Sequence, residues 1–409
     1  MVKKDENPVE VKTIETNGDS NDVTPMVEVE NKEEKLLTSQ YLENLPNDAE
    51  LKQTSELQSA FTTHLTKNFQ ITPNTKIRST IPTGIDLLDV LMGGGAATGV
   101  VQFIGNPGSG KSALLAKIIS AGQRKWPGKF NSIYADSEDS TTKDRLKDLG
   151  VTYPQLEPYN EITVESIFQM VEGMCTYKEQ NPQYMDIPWV IAWDSIANTM
   201  TSEAYTEDDP NLTYAGFQKA KALSLYLPKY VPKLNKYNIA LVCVNQLRDK
   251  IDMGIFKTPA DLKFLGDKSI PGGKSLIFNS IQIIFLAPSG DCKGEYGFLG
   301  TKVSAKAIKN KLFSPNISTK LIFSFERGFS NFWTNYEMLK EYKRIEAGAW
   351  CKLKSCTEAG NFRQNQALEF YQTKPEFKKA FDNDVEEILK VEIIDKYKST
   401  KANAVDNIS

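Results

Sequence analysis

The chain has little of what several chemistries require. Among 409 residues there is one histidine, His64, and there are five cysteines, Cys175, Cys243, Cys292, Cys351 and Cys356, irregularly spaced and without a CxxC pair. A histidine-based catalytic triad, a zinc knot and a disulfide framework therefore lack ingredients, and the cysteine usage suits a reducing, cytoplasmic compartment. Long apolar runs are also missing. The longest, around Trp189–Trp193, Ile239–Val244 and Ile281–Ala287, are far shorter than the roughly 20 residues that span a bilayer, and the N-terminus is polar, so neither a membrane span nor a secretory signal is expected. A strong charge of one sign is absent as well: 49 Lys and Arg face 52 Asp and Glu, a net charge of −3.

The near-balance conceals an asymmetry. Residues 1–50 carry five bases against thirteen acids, whereas the rest carries 44 bases against 39 acids. The acidic head, with Asp5, Glu6, Glu28, Glu30, Glu33 and Glu34 among Asn and Thr, reads as a solvated, disordered tail, either merely solubilising or competing with nucleic acid for a basic groove. Residues 398–409 read as a second polar tail. Over the whole chain, a composition of 40% hydrophobic residues supports one large core or two to three domains.

Residues 51–80 read as an arm: Leu51, Leu57, Phe61, His64 and Leu65 recur at helical spacing and are followed by the extended polar stretch 70–81. From Val100 onward, short apolar runs (Val100–Ile104, Ser132–Ala135, Pro188–Trp193, Ile239–Val244, Ile281–Leu286) alternate with helical patterns. That rhythm predicts an α/β fold with a mainly parallel, doubly wound sheet over residues 81–328. Beyond Gly328, helical patterns and short polar strands broken at Gly348, Gly360 and Pro375 predict a small C-terminal α/β lobe over 329–397.

The strongest motif lies at the first of those runs. An apolar strand, Val101–Ile104, leads into Gly105, Asn106, Pro107, Gly108, Ser109, Gly110, Lys111 and Ser112, and a helical stretch begins at Ala113. Strand, GxxxxGK[ST] and helix stand in the order a phosphate-binding loop requires. Glycines let the loop close on phosphate oxygens, backbone N–H groups and the helix N-terminus supply positive potential, Lys111 reaches the β and γ phosphates, and the Ser112 hydroxyl suits Mg²⁺. ATP with Mg²⁺ is the expected ligand pair. A second metal-side acid is needed, and Asp194 ends the apolar run 188–193, where a strand-end Asp also serves as an ordinary cap or turn former. A water-activating carboxylate belongs on a neighbouring strand end; Asp136, Glu138 and Asp139 all lie there, and spacing leaves the choice open.

The run 239–244 ends in Asn245-Gln246, uncharged amides that suit either a γ-phosphate sensor or a plain polar strand end. The long stretch 248–273 follows. Counting Lys274, it holds six bases, including Arg248, Lys250 and Lys257, with Phe256 and Phe264, the glycine pair Gly272-Gly273, and four acids that dilute the charge. Bases and rings on one loop suit single-stranded nucleic acid.

In this order, the motifs, the lead-in Ile81-Pro-Thr-Gly-Ile-Asp-Leu-Leu-Asp89, the Asp194-Ser-Ile-Ala step, the lysines of Gly300–Lys311 and Glu346-Ala-Gly-Ala-Trp350 resemble RecA-type recombinases, from about Ile81 to about Leu389. Length and the lysine pair favour the bacterial and bacteriophage branch. The resemblance implies a RecA-like ATPase core and an ATP-dependent recombinase that forms helical filaments on single-stranded DNA and exchanges strands with double-stranded DNA. Self-association and contact with single-strand-binding and loader proteins belong to the same picture. By resemblance Glu138 is the general base, Asp194 the metal-side acid and Gln246 the link to the following DNA loop. Lys309 and Lys311 reach the neighbouring subunit's ATP. One DNA loop falls near 203–213 and the second within 248–271, with Arg248, Lys250, Phe256, Lys257, Gly272 and Gly273 as contacts. Arg145 stands where bacterial relatives carry an adenine-stacking Tyr. The acidic head and the long second loop depart from the bacterial pattern. A ring-forming helicase on the same core and a non-catalytic accessory protein are the rival readings.

Overall fold

A computed structural model describes residues 48–69, 78–152, 158–159, 162–206, 212–249, 268–294 and 296–395. Helix α1, Asp48–Phe69, belongs to one unit, and the residues from 78 to 395 form another. The 22 residues of α1 cover the stretch for which helical spacing is expected, and Leu57 on it is 70% exposed.

The second unit opens with the small ladder β1 (Thr80–Ile81) and β2 (Ala96–Ala97), which flank helix α2 (Asp86–Met92). The strands that follow are β3 (Gly99–Gly105), β4 (Ser132–Asp136), β5 (Pro158–Tyr159), β6 (Trp189–Asp194) and β7 (Ile239–Gln246). After them come β8 (Arg248–Asp249), β9 (Lys268–Ser269), β10 (Ser280–Lys293), β11 (Leu299–Asn310), β12 (Ser318–Ser324) and β13 (Gly328–Ser330). Among the described residues nine strands form one sheet in the order β13-β12-β11-β10-β3-β7-β6-β4-β5. Every pairing from β10 to β5 is parallel, and β10 to β13 add an antiparallel flank. The sheet is thus the α/β, mainly parallel one expected. The antiparallel flank is new: β10 carries the apolar run that pairs it in parallel with β3, but β11 alternates apolar with polar residues and has no continuous apolar run.

Burial explains the all-apolar central strands. Along β3, β6 and β7 successive side chains enter opposite layers, as the two-residue period of a strand requires. Val101, Phe103, Val190, Ala192, Ala240 and Val242 pack with α2 and with helix α3 (Lys111–Lys125). Leu146 of helix α4 (Lys143–Asp148) joins the same layer, whereas Val100, Ile191, Trp193, Ile239 and Leu241 pack on the other face with α5 (Val164–Gln180) and α7 (Leu212–Lys236), which supply Phe168, Leu223 and Leu227; the short α6 (Ser202–Thr206) lies between those two in the chain. A short helix α8, Gly273–Asn279, leads into β10.

Beyond β13 lie helix α9 (Asn331–Glu341), the ladder β14 (Ile345–Glu346) with β15 (Lys352–Leu353), helices α10 (Ala367–Thr373) and α11 (Pro375–Glu387), and a π-helical segment Ile388–Asp395. Their aromatic cluster, with Trp333, Tyr336, Phe362, Phe377 and Phe381, is continuous with Leu87 of α2 and Ile322 of β12. The expected C-terminal lobe is therefore a layer built onto the sheet flank, within the same compact unit.

Candidate nucleotide site and DNA-loop root

The parallel strands end side by side at one edge of the sheet, where ligands of open α/β sheets bind. β3 runs into the glycine-rich loop, and α3 starts at Lys111 from Gly110, a left-handed residue at φ 81° that provides no side-chain cap. The first-turn N–H groups of α3 therefore face the loop without a side-chain acceptor, which is the condition for binding an anion. Gly110 has no room for more: a Cβ there would meet the Phe329 ring at 2.8 Å and the Phe323 ring at 3.1 Å. Lys111 is 7% exposed, and its ammonium donates to Asn106 O at 2.8 Å and to Ser109 Oγ at 3.4 Å. Burial pulls Lys111 below the ordinary lysine value, while the carboxylates of Asp194 and Glu138 oppose that shift.

Asp194, at the end of β6, is 2% exposed. Its carboxylate accepts hydrogen bonds from the Ser112 side chain and from Tyr134 Oη, the latter at 2.8 Å. Burial pushes its pKa up to about 6, against the lowering effect of those two donors. Two hard oxygen groups, a hydroxyl and a carboxylate, thus meet beside the phosphate loop, a donor set that fits Mg²⁺ shared with a phosphate.

The three acids after β4 separate by what their carboxylates touch. Asp136 is 1% exposed and accepts from the backbone N–H groups of Glu138, Ser140 and Thr141 at 2.9, 3.0 and 2.8 Å, so it shapes the loop. Asp139 is exposed at φ 48°. Glu138 turns to the neighbouring strand ends: its Oε1 accepts from Ser195 Oγ at 2.6 Å and from Gln246 Nε2 at 3.1 Å. Each hydrogen bond to a carboxylate contributes about 1.5–3 kcal/mol, enough for the pair to select one rotamer of a glutamate.

Gln246 is also the last residue of β7, next to the long loop. Asn245, fully buried, donates from Nδ2 to Pro271 O at 2.8 Å, and β8 pairs with β9 through Arg248↔Ser269 and Asp249↔Lys268. The stretch is consequently a hairpin-rooted loop whose two ends are tied beside Gln246. Lys250, Phe256 and Lys257 lie outside the described residues, as do residues 207–211 of the first expected DNA loop. Gly272 and Gly273 turn the chain into α8 at φ 97° and 77°.

Lys309 and Lys311 sit on the antiparallel flank, away from this protomer's phosphate loop in sequence and in strand order. The pairing of β10 with β11 slips by one residue between Ile283↔Lys309 and Ile284↔Ala307. Before the bulge the buried side chains of β11 are those of Thr301, Val303, Ala305 and Ala307, with Gly300 buried beside them; after it Asn310 is buried. The extra residue reverses the alternation, and so keeps Lys309 and Lys311 off the core face. The Lys309 ammonium rests on Ile277 O and Phe278 O, at 2.9 and 3.0 Å, near the C-terminus of α8, where a helix favours a cation. Burial and the neighbouring Lys311 lower its pKa.

Arg145, from α4, donates to Glu326 O at 2.7 Å and Phe325 O at 2.8 Å. It thereby ties α4 to the turn between β12 and β13. Phe325 on that turn is 57% exposed and lies edge-on to Phe323, the ring that crowds Gly110. In the sequence Phe325 carries no signal beyond an apolar ring in a charged turn, Ser324-Phe-Glu-Arg-Gly328.

Residues 56–330 match the family described as RecA N-terminal domain. The chain belongs to the RecA family. Curated relatives carry the name Protein RecA. That of Colwellia psychrerythraea is 27% identical over 315 residues, covering 76% of this chain and 84% of the relative. That of Syntrophus aciditrophicus is 26% identical over 273 residues, covering 66% and 73%. That of Thermus aquaticus is 30% identical over 250 residues, covering 61% and 67%. The matched RecA region includes the phosphate loop, the three strand ends and the lysine-bearing flank. Among the described residues no helix is long and apolar enough to cross a membrane, and no cluster of three or more His, Cys, Asp or Glu side chains forms a separate metal site.

Proposed function

We propose that the protein is a DNA-dependent ATPase that assembles head to tail on single-stranded DNA and exchanges strands with homologous double-stranded DNA. The observation that carries this reading is the contact between Glu138 and Gln246. It joins a carboxylate beside the phosphate loop to the residue from which the basic loop hangs, so that nucleotide state and loop position are coupled through one hydrogen bond.

In this reading the triphosphate of ATP lies in Gly105–Ser112 against the bare N-terminus of α3. Lys111 leaves Asn106 O for the β and γ phosphates, and Ser112 and Asp194 hold Mg²⁺, which neutralises phosphate charge when bound. Glu138 takes a proton from the attacking water. Gln246 exchanges its bond to Glu138 for one to the γ-phosphate, and that exchange shifts the root of the loop carrying Arg248, Lys250, Phe256 and Lys257. The base rests against Phe325, held by Arg145. Lys309 and Lys311 leave α8 for the ATP of an adjacent protomer, so ATP joins subunits and the non-closing contact produces a filament.

ATP hydrolysis measured with and without single-stranded DNA, on the parent and on Glu138→Gln, tests the reading. Strong DNA stimulation that disappears in the variant is expected, with filaments in electron micrographs. Hydrolysis indifferent to DNA overturns it, and rings would favour a motor on the same core.

A further inference from the structure

Ser195 follows the metal-side acid and is fully buried. Its backbone is tied from both sides: its N–H donates to Ser137 Oγ at 3.0 Å, and its carbonyl accepts from Ser137 Oγ and Thr199 Oγ1, each at 2.8 Å. Ser137 in turn donates from its N–H to Asp194 O at 2.6 Å, and Trp193 Nε1 donates to Thr199 Oγ1 at 2.7 Å. The ends of β4 and β6 are therefore stitched together by backbone-directed bonds, which fixes where the Ser195 hydroxyl points. That hydroxyl donates to Glu138 Oε1 at 2.6 Å, the same oxygen that Gln246 holds at 3.1 Å.

The two donors differ in what anchors them. Gln246 ends β7 at the root of the long loop, and in the ATPase reading above it exchanges its bond to Glu138 for one to the γ-phosphate, whereas Ser195 is bound into the core. Resting on the ATPase reading above, we infer that Ser195 is a positioning residue for Glu138: it retains the carboxylate when Gln246 departs, and by occupying Oε1 it leaves Oε2 to face water. Two donors on one oxygen make the base independent of the loop's position, so that loop movement changes what Gln246 does without misplacing Glu138.

Ser195→Ala tests this with little structural cost, because the ties to Ser137 and Thr199 use backbone atoms and survive. With saturating single-stranded DNA, kcat falls about tenfold, as misdirection of a base by a fraction of an ångström does, while KM for ATP and the affinity for a fluorescent ADP analogue stay within about twofold. Ser195→Cys, a weaker donor of similar size, falls between Ala and the parent. Ser195→Ala combined with Gln246→Ala loses more than the product of the single losses, since Glu138 then has neither donor. A parental rate in Ser195→Ala, a loss of nucleotide affinity that accounts for the loss of rate, or Cys no better than Ala each overturns the inference. Glu138→Gln in the same assay separates the two levels. If it is inactive while Ser195→Ala is not, the Ser195 assignment alone fails; if it turns over like the parent, the ATPase reading fails and this inference falls with it.

Discussion

Gln246 and Glu138 meet across the sheet edge, the amide of one donating to Oε1 of the other at 3.1 Å, although 108 residues separate them. The order of strands brings them together: β7 and β4 flank β6, and all three run parallel and end at one level. Neither residue alone distinguishes a catalytic site from a polar strand end. Their contact joins a loop root to a carboxylate beside the phosphate loop, and the catalytic reading proposed above rests on it.

Lys111→Ala removes the cation at the loop floor. A hydrogen bond to a charged group contributes about 1.5–3 kcal/mol, so nucleotide affinity should fall about 10- to 100-fold, and ATP-dependent DNA binding should disappear with it. Calorimetric titration with ATP and Mg²⁺ measures the first and a filter-binding assay the second; unchanged affinity would remove Lys111 from the site.

Lys309→Ala with Lys311→Ala should leave the protomer folded and abolish DNA-stimulated turnover. Lys309 rests on two carbonyls at the end of α8, a contact whose loss costs at most about 1 kcal/mol. The check is circular dichroism beside steady-state hydrolysis. A double variant that hydrolyses ATP at the parental DNA-stimulated rate would sink the trans-lysine assignment.

Asp89 sets a pH dependence of stability away from the nucleotide site. Its half-buried carboxyl accepts the Thr83 N–H at 2.7 Å, and desolvation pushes its pKa up from 3.8 to about 6. The folded chain therefore binds the proton more tightly than the unfolded one. The associated stability is fully present below pH 3.8 and is lost as pH rises through 6, an effect of at most about 3 kcal/mol. Asp89→Asn should flatten this part of the urea-midpoint curve between pH 4 and 6.5; an unchanged slope would show that another group carries it.

Gly110 and Gly108 both have positive φ, 81° and 76°, but only Gly110 is crowded. Gly108→Ala should cost about 1 kcal/mol from backbone strain alone, and Gly110→Ala about 2–3 kcal/mol, since its Cβ also strikes the Phe329 ring at 2.8 Å. Chemical denaturation of both variants compares them, and equal losses would refute the role of Phe329.

Much of the site is legible locally because its constraints are local. The phosphate loop needs glycines, a lysine and a hydroxyl at fixed spacing between a strand and a helix, and residues 101–119 satisfy all of these within one stretch. The parallel core strands are legible for a similar reason: burial on both faces demands unbroken apolar runs. The antiparallel flank is not, since β11 alternates Val303, Ala305 and Ala307 with Lys302, Ser304 and Lys306, a pattern that suits an exposed hairpin equally well.

By itself the sequence determined the α/β alternation, the phosphate loop, the terminal acid of β6 and the charge asymmetry, all of which follow from neighbouring residue types. Only the tertiary structure decided which of Asp136, Glu138 and Asp139 faces the site, because that depends on which carboxylate finds backbone N–H groups and which finds Ser195 and Gln246. It also decided, through a single bulge at Ile308, that Lys309 and Lys311 stay off the buried face, and it brought Phe325 within one ring of Gly110. Strand order and register bring distant residues within hydrogen-bond reach, and no spacing along the chain encodes them.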